Sequence, residues 1–516
     1  MGDSSGSSLR DKTIAGLGWR SLTTGGRILL RFGIGVILAR ILGPEAFGLI
    51  GLATIVIGFG DLFVDIGLGP AIVQRKILTE RHIRVGFTLS IIGGLLLSLI
   101  TYSVAPVAAR LLGDRALTPI IEWLALTFLF SGCEVVARSL LERRLNFRAI
   151  LAVDLGSYVI GYGGLGITMA LLGYGVWSLV GASLIQAGFG AAIAYFLSSH
   201  SLQLLFSWQE TRDLARFGSG ITLERVVNYF ALKGDYFVIG RVLGANSLGL
   251  YTRAYNLMTA PLSHFVKVIV DVLFPALSKI QDKPDRMHRV FQEAITTVTF
   301  FVLPLVGTTI LFAPEIVIGV YGEKWAGAVV PLQILGVAGL YRALYNAAAA
   351  FVKAHGEVFK LAGCQTIYAI TTVGGAWIGA RHYGIEGAAV AVACSIIIMY
   401  LMIMALAQRV TETTTWENVK NHTPGVLFAV PVISGAYIGK LWGPHLNSGQ
   451  IVEAVLGFAL SIIISVTLVG IIPARWIDPV PKLILEASDN YLSERKQRTL
   501  SWWVGKSTDV SKKVSQ

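Results

Sequence analysis

The sequence contains few charged residues and almost no cysteine. Charged side chains make up 14% of the 516 residues, whereas 54% of the residues are hydrophobic. This composition is too apolar for a soluble domain of average amino-acid composition. Cys133, Cys364 and Cys394 lie far apart and form no CxxC motif, so they predict buried thiols that pack as small hydrophobic groups. Neither a metal site nor a cofactor is expected.

Motifs of nucleotide hydrolysis and of secretion are also missing. The segment nearest to a GxxxxGK[ST] motif is GAYIGK at 435–440, which is one residue too short and lies in an apolar run. The N-terminal MGDSSGSSLRDK is polar and has no signal-peptide pattern, so we expect the first helix to stay in the protein. No loop is long enough to house an active site. The sequence therefore predicts transport without covalent chemistry.

Apolar runs of about twenty residues recur along the chain, and about 20 residues in a helix cross a hydrocarbon core of about 30 Å. The sequence thus predicts an all-α integral membrane protein of about fourteen transmembrane helices. The predicted spans are 14–41, 45–74, 83–110, 117–140, 149–172, 175–199, 213–243, 247–279, 289–319, 327–353, 358–381, 385–410, 423–442 and 450–473.

The positive charges fall in alternate loops and predict the orientation. Loops near 75–84, 138–148 and 279–289 are rich in Lys and Arg, whereas GPEA, GANS and YGEKWAG carry little charge. By the positive-inside rule the basic loops and both termini are cytoplasmic. The net charge of +12 largely reflects this topology, so nucleic-acid binding is not needed to explain it. For the basic tail 474–516, a segment lying on an anionic leaflet and a disordered end both remain open.

Two segments of the chain repeat. ARILGPEAFGLI at 39–50 matches GRVLGANSLGLY at 240–251, and two further matches follow in the same order at offsets of 209 and 212 residues. This pattern predicts two parallel six-helix lobes related by a pseudo-two-fold axis along the membrane normal, a plan that transporters use for alternating access. The predicted regions are a disordered N-terminus (1–13), an N-lobe (14–205), a C-lobe (206–420), an added helix pair (421–473) and the tail (474–516).

Charged residues inside the spans form stripes in both copies. A charge at the bilayer centre costs about 2.5–3.5 kcal/mol on insertion scales, so each one needs a partner, water or a function. One interpretation is ion pairing between helices, with cations near helix ends such as Arg31 and Arg253 snorkelling to the surface. The other, which the similar placement in both copies favours, is a hydrated basic cavity for an anionic cargo. The residues are Arg20, Arg27, Arg31, Asp61, Asp65, Glu224, Arg225, Asn228, Asp235, Arg253, His264 and Lys267.

Residues 38–76, LARILGPEAFGLIGLATIVIGFGDLFVDIGLGPAIVQRK, closely resemble the second-helix region of bacterial O-antigen and exopolysaccharide flippases. These belong to the multidrug/oligosaccharidyl-lipid/polysaccharide exporter superfamily, and the likeness covers about residues 10–475. It implies an inner-membrane flippase that carries an undecaprenyl-diphosphate-linked oligosaccharide to the periplasmic leaflet. It also implies coupling to an H⁺ or Na⁺ gradient and, as a candidate partner, a polysaccharide polymerase or export complex.

The resemblance implies roles for the residues in these stripes. Arg20, Arg27, Arg31, Arg225, Asn228, Arg253, His264 and Lys267 become candidates for binding the diphosphate or sugar, and Asp61, Asp65, Glu224 and Asp235 for ion coupling. The carboxylates have an alternative role as partners of arginine. Rival functions are a multidrug and toxin extrusion antiporter, whose cavity should be dominated by carboxylates, and a peptidoglycan-precursor flippase. An O-antigen polymerase should have a large periplasmic loop, which the sequence lacks.

Overall fold

The computed structural model describes residue 26 and residues 28–64, 68–215, 222–278, 280–281 and 283–442. All regular structure in these ranges is helical, and nine helices there are long and apolar enough to cross a membrane. The prediction of an all-α protein rich in membrane-crossing helices is confirmed. The number fourteen stays a prediction, because the fourteenth span (450–473) and the start of the first (14–25) lie outside the described residues.

The observed helices follow the predicted spans closely. Two of the helices contain a break where the sequence predicts a turn, at Gly244 and at Tyr383–Gly384. A π-helical stretch interrupts the fifth predicted span at Val159–Gly166. The helices are 28–42, Pro44–Val64, Leu68–Gln74, Glu80–Leu112, Leu117–Arg143, Phe147–Leu171, Trp177–Ser198, Trp208–Ala215, Thr222–Ser278, Pro284–Leu311, Ala313–Tyr321, Val329–Ala354, Val358–Thr411 and Thr415–Trp442.

The repeat extends to the backbone conformation. Ten of the eleven described residues with positive φ form five pairs, whose members are 201 to 213 positions apart. Gly43 and Gly244 have the same φ of 82°. Only eleven described residues have positive φ, so five pairs at nearly the same spacing among them are hard to explain without duplication. The pairs are Gly43 with Gly244, Gly113 with Gly322, Leu145 with Gly356, Gly175 with Gly384, and Ser199 with Glu412.

Contacts divide the chain into two compact units. Unit 1 contains Met1–Leu257, Ala313–Leu335 and Gln365–Ser395, and unit 2 contains Met258–Phe312, Gly336–Cys364 and Ile396–Gln516. These units do not follow the predicted lobes, whose boundaries and symmetry axis stay predictions.

Small residues bring helices close together in unit 1. A Cβ on Gly94 would meet the carbonyl oxygen of Phe128 at 2.5 Å, and one on Gly132 would meet that of Ser90 at 2.5 Å. The helices Glu80–Leu112 and Leu117–Arg143 therefore pack backbone to backbone, as small residues permit in membranes.

In the same unit, Arg143 closes the end of a neighbouring helix. Its guanidinium donates to the carbonyl oxygens of Ile72 at 2.9 Å and Val73 at 3.1 Å. These bonds satisfy carbonyls at the C-terminus of Leu68–Gln74, where a cation also complements the helix dipole. A basic residue of a predicted cytoplasmic loop thus also has a structural role.

Unit 2 packs the helix Thr415–Trp442 against Pro284–Leu311. The rings of Phe300 and Phe428 stack with centroids 4.2 Å apart, and Thr299 Oγ1 lies 2.8 Å from His422 Nδ1. The predicted thirteenth helix is therefore firmly packed on the ninth.

The three cysteines differ in exposure. Cys364 is buried and Cys133 is half-buried, whereas Cys394 is exposed. The prediction of three buried thiols is wrong for Cys394, because this residue lies on a face of its helix that no described segment covers.

Candidate functional site

The two repeated hairpins lie against each other in unit 1, in a contact that we call the hairpin crossing (residues 43–52 and 244–252). A Cβ on Gly48 would overlap the carbonyl group of Ala245, and a Cβ on Gly249 would overlap that of Pro44. An offset of 201 residues relates Gly48 to Gly249 and also Pro44 to Ala245, so the contact is reciprocal. Because glycine has no side chain, the two backbones approach closely at both positions.

A third segment fastens the hairpin crossing. Trp325 is fully buried, and its Nε1 donates to the carbonyl oxygen of Ala39 at 3.0 Å. Arg40 donates to the carbonyl oxygens of Gly319 and Val320. The loops GPEA, GANS and YGEKWAG, which the charge pattern predicts on one side of the membrane, are therefore joined.

Arg253 belongs to this packed region. Its guanidinium carbon lies 4.0 Å from the ring centre of Phe47 and 5.9 Å from that of Tyr321. A guanidinium over an aromatic face is attracted by the ring quadrupole. The interpretation of Arg253 as a snorkelling end-of-helix cation is thus wrong, because two rings enclose a side chain that would otherwise extend towards the membrane surface.

A cavity of about 350 Å³ lies within unit 2, between residues 258–270 of the helix Thr222–Ser278 and residues 339–353 of the helix Val329–Ala354. Lys267, Arg342 and Lys353 line it together with Thr259 and Asn346, and the rest of the lining is aliphatic, methionine or glycine. Among the described residues that line the cavity there is no aspartate, glutamate or aromatic residue. A cavity whose described lining carries three cations suits an anion.

Lys267 was predicted from the sequence as a site residue, whereas Arg342, Asn346 and Lys353 were not. These three residues are four and seven positions apart, so they lie on one face of their helix. The same spacing argument that selected Lys267 would have found them. We call Lys267, Arg342 and Lys353 the cation cluster.

The other predicted site residues with described side chains lie outside this cavity. Arg31 is exposed, with its guanidinium carbon 5.1 Å from the ring centre of Tyr158. Asp61 is exposed on the helix Pro44–Val64. Asp235 is buried and accepts hydrogen bonds from Tyr251 Oη and from the backbone N–H of Tyr236, each at 2.9 Å.

The remaining predicted residues cannot be placed in the site. Arg20, Arg27 and Asp65 lie outside the described residues. Glu224, Arg225, Asn228 and His264 lie in the helix Thr222–Ser278, but their side chains are outside the described part.

The structure adds a charge cluster that the sequence analysis did not select. Arg138 Nη1 lies 2.9 Å from Asp154 Oδ1 and 3.1 Å from Glu134 Oε1, and Arg138 Nε lies 3.5 Å from Glu142 Oε1. The spacing of Glu134, Arg138 and Glu142 by four residues is the signal that would have found part of it. Because every charge in it has an opposite partner, the cluster fits the ion-pairing interpretation and fastens two helices.

Known proteins resemble the chain in sequence and in fold. The lipopolysaccharide biosynthesis protein WzxC of Escherichia coli (strain K12) is 26% identical over 388 residues, which are 72% of this chain and 77% of that protein. The succinoglycan biosynthesis transport protein ExoT of Rhizobium meliloti (strain 1021) is 27% identical over 372 residues, 70% of this chain and 74% of that protein.

Among solved structures, the lipid II flippase MurJ in an inward closed conformation superimposes with a TM-score of 0.68 at 14% identity, covering 87% of this chain and 98% of MurJ. An inward-facing multidrug resistance MATE transporter superimposes with a TM-score of 0.61 at 19% identity, covering 75% of this chain and 95% of that transporter. At these identities the two structures show the fold alone, and the fold is that of a membrane transporter.

The family model described as "Polysaccharide biosynthesis protein" matches residues 37–330, more than half of the chain. The chain belongs to this family.

Proposed function

We propose that this protein is a flippase that moves a lipid-linked oligosaccharide, carried on undecaprenyl diphosphate, from the cytoplasmic to the periplasmic leaflet of the bacterial inner membrane. The observation that carries the proposal is the cation cluster in the cavity of unit 2. Membership of the polysaccharide biosynthesis family, and relatives named for lipopolysaccharide biosynthesis and succinoglycan transport, support a polysaccharide precursor as the cargo.

The lining of the cavity argues for an anionic cargo over a cationic one. MATE transporters share the fold, so the fold does not distinguish the two functions. A site for organic cations needs a carboxylate, whereas the described lining carries three cations instead. Phosphate oxygens are strong acceptors for Arg and Lys, and Arg binds them in a bidentate manner.

Alternating access is the mechanism that fits the hairpin crossing. The crossing joins three loops that the charge pattern predicts on the periplasmic side, so it would close that side while cargo loads from the cytoplasm. Lys353 is one residue from the end of its helix, next to a loop predicted to be cytoplasmic, so the cavity would be reached from that side. Opening of the crossing would then release the cargo, with the two predicted lobes rocking about the predicted axis.

An ion gradient would drive the cycle through a carboxylate. Asp61 is our candidate among the described residues, because its side chain is exposed and available to exchange an ion. Both termini would be cytoplasmic, which leaves the basic tail at the anionic leaflet or free in solution.

Reconstitution tests the proposal. The purified protein in proteoliposomes should move undecaprenyl-diphosphate-linked glycans between leaflets, measured by the access of an added glycosidase or lectin to the glycan. Protein-free liposomes give the background. Export of a cationic dye without movement of any lipid-linked glycan would refute the flippase and support the antiporter.

A further inference from the structure

We propose that an apolar ridge after the helix Trp177–Ser198 anchors unit 1 in the interfacial layer of the membrane, beside cations that contact anionic lipid head groups. The apolar ridge consists of Leu202, Leu204, Phe206 and Trp208. It lies in the connection between the two copies of the repeat and does not line the cavity of unit 2. The proposal is therefore independent of the cargo.

The apolar ridge lies in a stretch that the sequence predicts as a loop. Its exposed fractions are 48% for Leu202, 63% for Leu204, 64% for Phe206 and 73% for Trp208. These are every second residue, which is the spacing of side chains on one side of an extended chain. Leu205, which lies between them, is half-buried and packs against a hydrophobic core of the unit. The segment thus has an inner side that packs on protein and an apolar outer side that the described residues leave largely uncovered.

Contacts with the helix Glu80–Leu112 fix the level of this segment. Arg84 Nε donates to the carbonyl oxygen of Gln203 at 3.3 Å, and the backbone N–H of Leu205 donates to Thr88 Oγ1 at 2.9 Å. At a rise of 1.5 Å per residue, Arg84 and Thr88 lie about 6 Å and about 12 Å from the start of the helix. The segment therefore lies beside the helix and does not project beyond its end.

The connection begins at the same level. The ring centre of His200 lies 5.1 Å from that of Phe87 and 5.5 Å from that of Tyr195. From His200 to Leu205 the chain thus stays beside residues 84–88, so it runs across the helix instead of along it. Because this helix is long and apolar enough to cross the membrane, a chain that runs across it lies close to the membrane plane.

The level of the segment coincides with the edge of the hydrocarbon core. The helix Glu80–Leu112 has 33 residues and is therefore about 50 Å long. A hydrocarbon core is about 30 Å thick, so a centred helix of this length extends about 10 Å beyond the core at each end. Residues 84–88 lie at this boundary, where head groups meet acyl chains. Tryptophan and amphipathic segments are favoured in this layer, which suits the apolar ridge.

Cations lie around the apolar ridge at this end of unit 1. Arg81 Nε is 3.5 Å from Glu210 Oε1, just beyond the ridge, and the Arg81 side chain is 68% exposed. In residues 75–84, 142–148 and 198–212 the exposed cations are Lys76, Arg81, Arg144, Arg148 and Arg212, and the exposed carboxylates are Glu80 and Glu142. The excess of cations complements anionic head groups. An apolar ridge at head-group level with cations beside it matches an anionic lipid surface in both polarity and charge.

Fluorescence quenching at single cysteines tests the anchor. The full chain, with its three native cysteines replaced by alanine, carries Leu204→Cys, Phe206→Cys or Gln203→Cys with an attached NBD fluorophore in lipid nanodiscs. Labels at Leu204 and Phe206 should be quenched by phospholipid with a doxyl group high on its acyl chain and protected from iodide in the water. Gln203 is the matched control, because it is exposed at an intervening position, so iodide should quench it more and the lipid less.

Doxyl lipids with different head groups test the cations. With the label at Phe206, phosphatidylglycerol should quench more strongly than phosphatidylcholine at the same mole fraction. Lys76→Gln and Arg212→Gln should each reduce this preference by a factor of roughly five at most, since a basic residue near an anionic surface contributes about 1 kcal/mol. Arg110→Gln is the control, because Arg110 is exposed at the opposite end of the helix Glu80–Leu112, and it should leave the preference unchanged.

Three outcomes would overturn the proposal. Iodide quenching at Leu204 and Phe206 that is as strong as at Gln203 would place the apolar ridge in water. Protection from both quenchers would mean that protein covers it, either the tail 474–516 or a second copy of the chain. Equal quenching by the two head groups would show that the cations do not select anionic lipid. Equal melting temperatures show that each labelled variant folds, and reconstitution tests the flippase separately.

Discussion

The hairpin crossing and the cavity of unit 2 are built from opposite kinds of residue. The crossing brings backbones into contact at Gly48 and Gly249, whereas the cavity is lined by long cationic side chains. Both copies contribute equivalent residues to the crossing. An offset of 209 to 211 residues places Arg342 opposite positions 131–133, which read Ser-Gly-Cys and carry no charge. The duplicated residues thus build the contact proposed to open and close, whereas Arg342 of the proposed cargo site has no charged counterpart in the first copy.

Locking the hairpin crossing is the test with the largest expected effect. A Cβ on Gly51 would lie 3.5 Å from Leu248 Cδ2, so the two positions face each other across the crossing and suit a cysteine pair, whose disulfide is verified by mass spectrometry before flipping is measured. In a background with the three native cysteines replaced by alanine, oxidation of Gly51→Cys/Leu248→Cys should reduce flipping to background, because the crossing can no longer open. Reduction should restore it, as measured in proteoliposomes.

The two single-cysteine variants are the controls, since neither can form the disulfide. Leu248 is fully buried, so its replacement alone is expected to lower stability, but oxidation should not change its activity. Full flipping by the oxidised double variant would show that the crossing does not need to open.

Arg253 and Lys267 test whether the two regions have separate tasks. The sequence places both on one helical stripe, yet Arg253 packs on Phe47 and Lys267 lines the cavity. Arg253→Gln should lower the free energy of unfolding by about 0.5–2 kcal/mol through loss of the cation–π contacts, with unchanged affinity for undecaprenyl diphosphate. Lys267→Gln should weaken binding of undecaprenyl diphosphate and leave the free energy of unfolding unchanged. Chemical denaturation measures the free energy of unfolding, and native mass spectrometry measures the affinity for undecaprenyl diphosphate. Weaker binding of the diphosphate by Arg253→Gln would show that Arg253 also belongs to the cargo site.

Asp61 and Asp235 separate ion coupling from structural support of the crossing. Asp61→Asn should abolish stimulation of flipping by a proton or sodium gradient and leave stability nearly unchanged, because its side chain is exposed. Asp235→Asn should keep the stimulation and lower the free energy of unfolding by about 1–3 kcal/mol, because a weaker acceptor faces Tyr251. Flipping with and without an imposed gradient measures the coupling. If only Asp235→Asn loses the stimulation by the gradient, Asp235 and not Asp61 is the coupling carboxylate.

The helices and the repeat could be predicted from the sequence because they depend on local properties. Apolar length fixes a membrane span, and a glycine at a turn fixes a positive φ, as at Gly43 and Gly244. The candidate site could be predicted only in part. A helical stripe shows which residues share a face, but not which neighbour that face meets, so Arg253 and Lys267 were grouped although their surroundings differ. Arg342 shares a helix face with Asn346 and Lys353, but the sequence does not show that this face meets Lys267.

The smallest expected effect tests whether the repeat is physically equivalent in both copies. Gly43 and Gly244 have the same φ of 82°, and alanine at either position should lower the free energy of unfolding by about 1–2 kcal/mol, since L-residues are strained there. Gly93→Ala is the control: Gly93 lies in a regular helix with open space around it, so alanine should stabilise the protein by about 0.5–1 kcal/mol.

A Cβ on Gly43 would meet Lys324 Cδ at 3.6 Å, an ordinary contact, and one on Gly244 would meet nothing within 4 Å. Strain in the backbone is therefore the main cost at both sites, and chemical denaturation should give equal values. A clear difference between the two losses of unfolding free energy would mean that the hairpins share a backbone conformation but differ in how much it contributes to stability.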